Sequence, residues 1–366
     1  MQSADADILY RQLALPVLQN VSYPTQQAAQ AAPLGDVVLR QDAATGLVHN
    51  ALFDPSKLVY DENYQNEQAA SARFRAHLDT VLGIVQRQHT TASGIVEIGC
   101  GKGYFLEMMQ AAGLAVTGYD TAYEGHNPAI HKAYLDTTAG ADFFVLRHVL
   151  EHIPDPFAFL GSLARTARPS TKLYIEVPCF DWIVAQRAFY DVFYEHCNYF
   201  TLPVLCSAFA GVFESGHLFD GQYLYAVVDL STFRRPTGAA AQRQGPLAFD
   251  TMIDGLVASV AGHPPPFIWG AGAKGMTFAN ILHRRGHAVG GLIDLNPAKQ
   301  GRFVGLCASP IMAPAAAAAQ LNGRDVFAMN PAYLAEIRSA LAGLDARLIS
   351  VAAAADTPLI QSEATP

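Results

Sequence analysis

Apolar and polar positions along the chain alternate between short apolar runs and longer stretches with helical periodicity. The run that ends at Ile98, the stretch 104–112 and the run 115–120 read as strand, helix and strand. Residues 141–148 predict a buried strand, 157–168 a helix and 172–178 a further strand. This order predicts an α/β fold: a mostly parallel sheet, helices on both faces, and a ligand at the carboxyl ends of the strands. An antiparallel pair around 216–230, turning at Asp220-Gly221, closes the unit. The order then restarts. A helix at 249–261 and Pro264-Pro265-Pro266 precede a strand at 267–269, a helix at 276–285 and a strand at 289–294. Two more strands, 325–329 and 347–351, flank a helix at 333–344, which makes a second Rossmann-like unit.

Four segments follow from this pattern. Residues 1–66 form a small leading region of mixed short elements, with a helix over the Gln- and Ala-rich stretch 26–32. Residues 67–232 are the first α/β domain and 233–247, with Arg234, Arg235, Pro236 and Gly238, a linker. Residues 248–366 are the second domain, its last dozen residues expected to be loose.

Both strand-to-helix junctions are rich in glycine. The first reads Glu97-Ile98-Gly99-Cys100-Gly101-Lys102-Gly103, and the next strand ends in Asp120, 17 residues after Gly103. Alternate glycines let the backbone turn sharply and approach a ligand, while the helix N-terminus offers unpaired N–H groups. An acid at the end of the second strand is placed to accept ribose hydroxyls, so the junction reads as a nucleotide site. The second junction, Gly270-Ala271-Gly272-Ala273-Lys274-Gly275, has the G-x-G-x-x-G spacing, with Asp294 19 residues beyond Gly275. Alone it suggests a nicotinamide cofactor; the same loop also serves packing, or grips a phosphorylated ligand.

The order E-x-G-x-G-x-G resembles motif I of the class I S-adenosylmethionine (SAM) methyltransferases, and Val149 to Pro156 is similar to the segment after their fourth strand. The resemblance implies SAM as cofactor, held by Glu97, Gly99, Gly101, Gly103 and Asp120, with Arg147 or His148 lining the pocket. Together with the second glycine loop it resembles the three-domain C-methyltransferases of nucleotide-linked keto-deoxysugars. Between the two halves lies Tyr190-Asp191-Val192-Phe193-Tyr194-Glu195-His196-Cys197-Asn198-Tyr199-Phe200-Thr201, similar to that family's Glu-His-x-x-Tyr-Phe block. The resemblance makes His196, with a nearby Tyr, the base that removes the proton beside a ketone; Glu195 would orient the ring or raise its basicity, and with Phe193 at the usual Tyr position the hydroxyl comes from Tyr194 or is absent. Histidine also suits the task on its own terms, since its pKa lies nearest neutrality. Tyr194, Asn198 or Tyr199 would donate to the developing enolate oxygen, and Gly270, Gly272, Lys274 and Gly275 would hold the acceptor's phosphate. Tyr60 to Tyr64, Ser71 and His77 resemble the family's leading domain. Two positions depart from the family: Phe193 stands where a Tyr is usual, and the loop 42–46 lacks the zinc-binding cysteines.

Composition narrows the partners. The 366 residues are 51% hydrophobic and 15% charged, with 24 basic and 32 acidic residues giving a net charge of −8, which disfavours a nucleic-acid backbone as substrate. No apolar run has membrane-spanning length and the N-terminus lacks a signal-peptide pattern, so a cytoplasmic protein acting on a small molecule is expected. The five cysteines have no paired metal spacing, and no metal is expected. His148, Glu151 and His152 match H-x-x-E-H, but Pro154 and Pro156 deny them the helix a zinc peptidase needs, so Glu151 and His152 read as structural. The rival functions are a small-molecule O- or N-methyltransferase, an NAD-dependent oxidoreductase and a non-catalytic nucleotide-sugar binder.

Overall fold

The computed structural model describes residues 7–59, 64, 71–89, 94–135, 141–238, 243–351 and 361–363. The chain opens with β1 (Ile8–Pro16), β2 (Ser22–Tyr23), β3 (Leu34–Gln41) and β4 (Val48–Asn50), with α1 (Gln26–Gln30) between β2 and β3. Strands β1, β3 and β4 pair antiparallel in that order. Of the leading-domain signature, Tyr60 to Asn63 lie outside the described residues, whereas Tyr64 and Ser71 are placed. Ser71 caps α2 (Ala72–Gln88) through a hydroxyl that accepts from Phe74 N. The helix buries Phe74, His77, Leu78, Val81, Ile84 and Val85, one stripe at helical spacing.

Then comes a seven-stranded sheet. Strands β5 (Ile95–Ile98), β6 (Val116–Tyr119), β7 (Ile130–His131), β8 (Phe143–Arg147) and β9 (Lys172–Pro178) run parallel. Helices α3 (Tyr104–Ala111), α4 (Pro156–Ala164), α5 (Phe180–Ala185) and α6 (Leu202–Ser207) follow β5, β8, β9 and the two-residue strand β10 (Asn198–Tyr199). The hairpin β11 (Val212–Leu218) and β12 (Tyr223–Asp229) adds antiparallel to β9, giving the order β11-β12-β9-β8-β5-β6-β7. Strands β5 and β8 are apolar at nearly every position because both faces of the sheet are covered.

A second mixed sheet follows α7 (Phe249–Val260). It contains β13 (Phe267–Trp269), β14 (Gly291–Ile293), β16 (Ile311–Met312), β17 (Arg324–Ala328), β18 (Ala346–Ser350) and β19 (Gln361–Glu363), in the order β16-β14-β13-β17-β18-β19. Its first five strands are parallel, with α8 (Ala273–Arg284), α9 (Pro314–Ala318) and α10 (Leu334–Ala340) in the connections. Strand β15 (Phe303–Val304) leaves this unit to pair with β2.

Three expectations change. Residues 1–66 are not a self-contained domain, because β10, from within 67–232, completes their sheet beside β4. The 233–247 stretch has no helix or strand among its described residues, yet Gln244 N donates to Gln41 Oε1 and Leu247 N to Leu9 O. The tail is not wholly loose, since β19 pairs with the open edge of β18, whose backbone groups would otherwise lack partners. A single apolar core joins Leu39, Tyr190, Phe249, Phe278 and Phe327, so leading sheet, central segment and second unit share one interior. Among the described residues no helix is long and apolar enough to cross a membrane.

Candidate active site

The first glycine loop joins β5 to α3, and each glycine answers a different demand. Gly99, Gly101 and Gly103 take φ of +72°, +56° and +86°, the left-handed region that side chains disfavour. A Cβ on Gly99 would sit 2.4 Å from Val149 Cγ2, and one on Gly103 2.5 Å from Ile130 Cδ1. A Cβ on Gly101 would meet nothing within 4 Å among the described residues, room that a ligand can take. Gly103 caps α3 without a side chain, leaving the helix N–H groups to the cleft. Half-buried Asp120 accepts from Gly101 N and Ala122 N, both at 2.8 Å, which locks its carboxylate against the loop with lone pairs remaining for a ribose. Glu97 is 2% exposed, and among the described residues its Oε2 has no hydrogen-bond partner. Burial, opposed by Arg147 and assisted by Asp120, pushes its carboxyl up to about 7. A buried acceptor of this kind beside a loop with room for a ligand suits SAM, whose ammonium and ribose supply donors.

A cavity of about 320 Å³ opens between the two α/β units. The turn 148–152, which follows β8, links it to the glycine loop: Val149 packs on Gly99, while His148, Glu151 and His152 face the cavity. His196 meets them there, its ring 4.8 Å from that of His152 and 4.0 Å from Phe193. Burial, with His152, His148 and Lys274 as neighbours, holds His196 well below the ordinary histidine range, so the ring is a neutral imidazole. His148, at a φ of +52°, has Nε2 3.1 Å from Glu176 Oε1 and Nδ1 3.3 Å from Glu151 Oε1. Burial alone would lower its pKa, but hydrogen bonds to Glu151 and Glu176 raise it to about 9. Glu176 also takes Tyr174 OH at 2.6 Å and His77 Nε2 at 2.9 Å. Burial opposes ionisation of Glu176, yet Arg147 and the two histidines hold it well below the carboxylate range.

The block around His196 departs from the sequence reading in four side chains. The carboxylate of Glu195 does not meet the His196 ring: it accepts from Gln19 N at 3.0 Å and from Tyr64 OH at 2.6 Å. A buried carboxylate needs such donors, and these come from the leading region. Tyr194 accepts from Asp54 N at 2.8 Å and its ring packs against Gly35, outside the cavity. Asn198 Nδ2 donates to Ile153 O at 2.6 Å, and Tyr199 OH to Phe193 O at 3.3 Å, so both shape the loop rather than line the cavity. Glu195 instead acts on the site through its backbone, whose carbonyl accepts from His152 Nδ1 at 2.9 Å.

The second glycine loop forms the opposite wall. Gly270 takes a φ of +98°, and α8 lies directly on it, since a Cβ on Gly275 would come 1.9 Å from Gly270 O. Asp294 repeats the Asp120 arrangement, accepting from Ala271 N at 2.7 Å and Asn296 N at 2.8 Å. Gly272 and Lys274 line the cavity, where Lys274 is ion-paired with Asp191 of the first unit. Glu151, Asp191 and Lys299 are cavity residues that sequence reasoning passed over. Glu151 carried a signal, its place in H-x-x-E-H, but was assigned to structure; Lys299, 4% exposed with Nζ donating to Ala271 O, carried none.

Residues 62–212 match a family model described as a methyltransferase domain. With the glycine loop and Asp120 on this sheet, that part of the chain is a class I SAM-dependent methyltransferase domain. The chain is similar to the C-methyltransferase NovU of Streptomyces niveus, at 26% identity over 245 residues, 62% of this chain and 55% of that protein. It is also similar to the ubiquinone biosynthesis O-methyltransferase of Xanthomonas oryzae pv. oryzae, at 29% identity over 98 residues, 22% of this chain and 41% of that one. The chain thus spans about half the length of the curated relatives it matches. Among solved structures, a Burkholderia thailandensis 1,6-didemethyltoxoflavin-N1-methyltransferase aligns with a TM-score of 0.35 and 17% identity, covering 50% of this chain and 94% of that one.

Proposed function

We propose that the chain is a SAM-dependent C-methyltransferase whose acceptor, a nucleotide-linked keto-sugar or a similar small carbon acid, occupies the cavity between the two α/β units. One observation carries this reading: the turn 148–152 touches the cofactor loop through Val149 and meets His196 in the cavity wall. A neutral imidazole is therefore held beside the space that adjoins the cofactor loop, where a base for a carbon acid is needed. The similarity to a C-methyltransferase over 62% of the chain agrees with it.

SAM, when bound, supplies an electrophilic methyl group. The chain's own residues do the rest. Gly101 and Asp120 position the nucleoside, and His196 takes the proton from the carbon beside the ketone. His148, kept cationic by Glu151 and Glu176, stabilises the negative charge that develops on the acceptor. Residues 248–351 act as a Rossmann-like domain, with Gly270, Gly272, Lys274 and Gly275 at the acceptor's phosphate end. Glu195 and Tyr64 hold the loop on which His196 stands.

The test is turnover of nucleotide-linked keto-sugars with methyl-labelled SAM. His196→Asn is expected to lose about a hundred- to ten-thousand-fold in rate while SAM still binds. Without SAM, the wild type should exchange the hydrogen beside the ketone in deuterated water and the variant should not. A product methylated on oxygen or nitrogen overturns the carbon-acid reading in favour of an O- or N-methyltransferase.

A further inference from the structure

A carbonyl that loses the proton beside it gathers negative charge on its oxygen, and a hydroxyl or N–H aimed at that oxygen lowers the barrier. The donors expected from the sequence do not line the cavity. Tyr194, Asn198 and Tyr199 are engaged with Asp54, Ile153 and Phe193, and Phe193 faces the cavity without a hydroxyl. His148 supplies charge, but its two ring nitrogens face Glu176 and Glu151.

Tyr223 is placed differently. It is the first residue of β12 and pairs with Pro178, the last residue of β9. That register sets it at the carboxyl ends of the parallel strands, where an α/β sheet binds its ligand. The ring is held on two sides: Phe219 stacks on it at 5.2 Å with the planes 8° apart, and the His148 ring meets it at 4.5 Å and 74°. Tyr223 is 8% exposed and lines the cavity, yet its hydroxyl makes no hydrogen bond among the described residues. A buried phenol usually finds a partner. The hydroxyl of Tyr190 also lacks one, but it is sealed inside the protein, whereas that of Tyr223 is not. Burial first, then Tyr333, Asp191 and Glu176, holds the Tyr223 phenol well above its ordinary range against the pull of Arg147, so it keeps its proton.

We propose that Tyr223 is a catalytic residue whose hydroxyl donates a hydrogen bond to the carbonyl oxygen of the acceptor. The role rests on the carbon-acid reading of the proposed function. His196 takes the proton from carbon, the C–H electron pair becomes a C=C bond, and the carbonyl π pair moves onto oxygen. Tyr223 keeps its own proton and holds that charge beside cationic His148. When the carbon receives the methyl group, the pair on oxygen restores the C=O bond and Tyr223 is left unchanged. The ring needs no rearrangement to do this, since Phe219 and His148 already fix it.

Tyr223→Phe removes one oxygen and keeps the ring, and circular dichroism with SAM calorimetry shows whether the variant is folded. The first measurement needs no turnover: para-nitrophenolate, a planar oxyanion, is titrated into full-length protein and followed by the shift of its visible band. Saturable binding is expected, weakened about ten- to hundred-fold in the variant, as for a lost hydrogen bond to a charged group. Absence of saturable binding to the wild type, or equal affinity in the folded variant, overturns the proposal. The second is exchange of the hydrogen beside the ketone of a nucleotide-linked keto-sugar in deuterated water without SAM, which Tyr223→Phe should slow about a hundred- to thousand-fold. Exchange at the wild-type rate in the variant overturns the catalytic role and leaves His196 as the base. A wild type that methylates oxygen or nitrogen instead sinks the carbon-acid reading and this role with it, while the para-nitrophenolate titration still shows whether the hydroxyl holds an oxyanion.

Discussion

At the scale of single residues, the cofactor cleft is defined by two carboxylates with opposite surroundings. Asp120 is hydrogen-bonded twice by backbone N–H groups, whereas Glu97 is buried with one oxygen unanswered among the described residues. On the proposed reading Asp120 accepts from the ribose, contacts whose loss costs about 2–3 kcal/mol, so Asp120→Ala is expected to weaken SAM roughly thirty- to hundred-fold by calorimetry. Glu97 gives a pH dependence. Its pKa of about 7 in the folded chain lies above the ordinary 4.5, so between these values the folded state holds a proton that the unfolded state has lost. Stability from this group therefore falls as pH rises from about 4.5 to 7 and is level beyond. A cationic ligand group prefers the carboxylate, so SAM should bind more tightly as pH rises through 7, with proton release below it. Glu97→Gln should flatten that dependence in calorimetry run in buffers of different ionisation heat.

Among elements, the parallel strands and glycine loops were legible because each rests on local sequence. Residues 172–178 form the expected strand, and α3 and α8 start within three residues of expectation. The surroundings of His196 were not legible, because side-chain partners there come from far away in the chain. Glu195 answers to Gln19, 176 residues earlier, and Tyr194 to Asp54, 140 residues earlier. Adjacency in sequence suggested that Glu195 orients His196, yet Glu195 lies in a turn and its carboxylate reaches Gln19 and Tyr64 instead. Glu195→Gln is thus expected to act first on stability, lowering the melting temperature by several degrees as Tyr64 and Gln19 lose a charged acceptor. Its effect on turnover should be well below that of His196→Asn, which a side-by-side kinetic comparison would measure. In the second unit, Gly275→Ala forces a methyl group into Gly270 O, so α8 must shift; a loss of about 1–3 kcal/mol in denaturant unfolding is expected.

Across the whole molecule, the cavity walls are held together by polar contacts that cross between the units. Gln222 and Asn330 exchange amide hydrogen bonds of 2.9 and 3.0 Å, both side chains being buried. Glu336 accepts from Ser71 Oγ and Arg73 N, and Lys274 pairs with Asp191. Asn330→Ala leaves the Gln222 amide buried without its partner, at about 1–3 kcal/mol. The expected result is a lower melting temperature and a raised KM for the acceptor, with SAM affinity nearly unchanged.

The pairing of β10 with β4 carries a further meaning for how the enzyme comes into being. Asn198 lies opposite His49, and the loop bearing His196 is fastened to residues synthesised about 150 positions earlier. Closing so long a loop is entropically slow, and contacts of this range form after local helices and hairpins. The cofactor sheet is built mostly from neighbouring segments, so during folding it takes shape ahead of the loop that bears His196. A newly made chain would thus gain the capacity to hold SAM before it gains the capacity to use it. In a refolding time course, SAM protection of the glycine loop from hydrogen exchange should appear earlier than protection of residues 193–199.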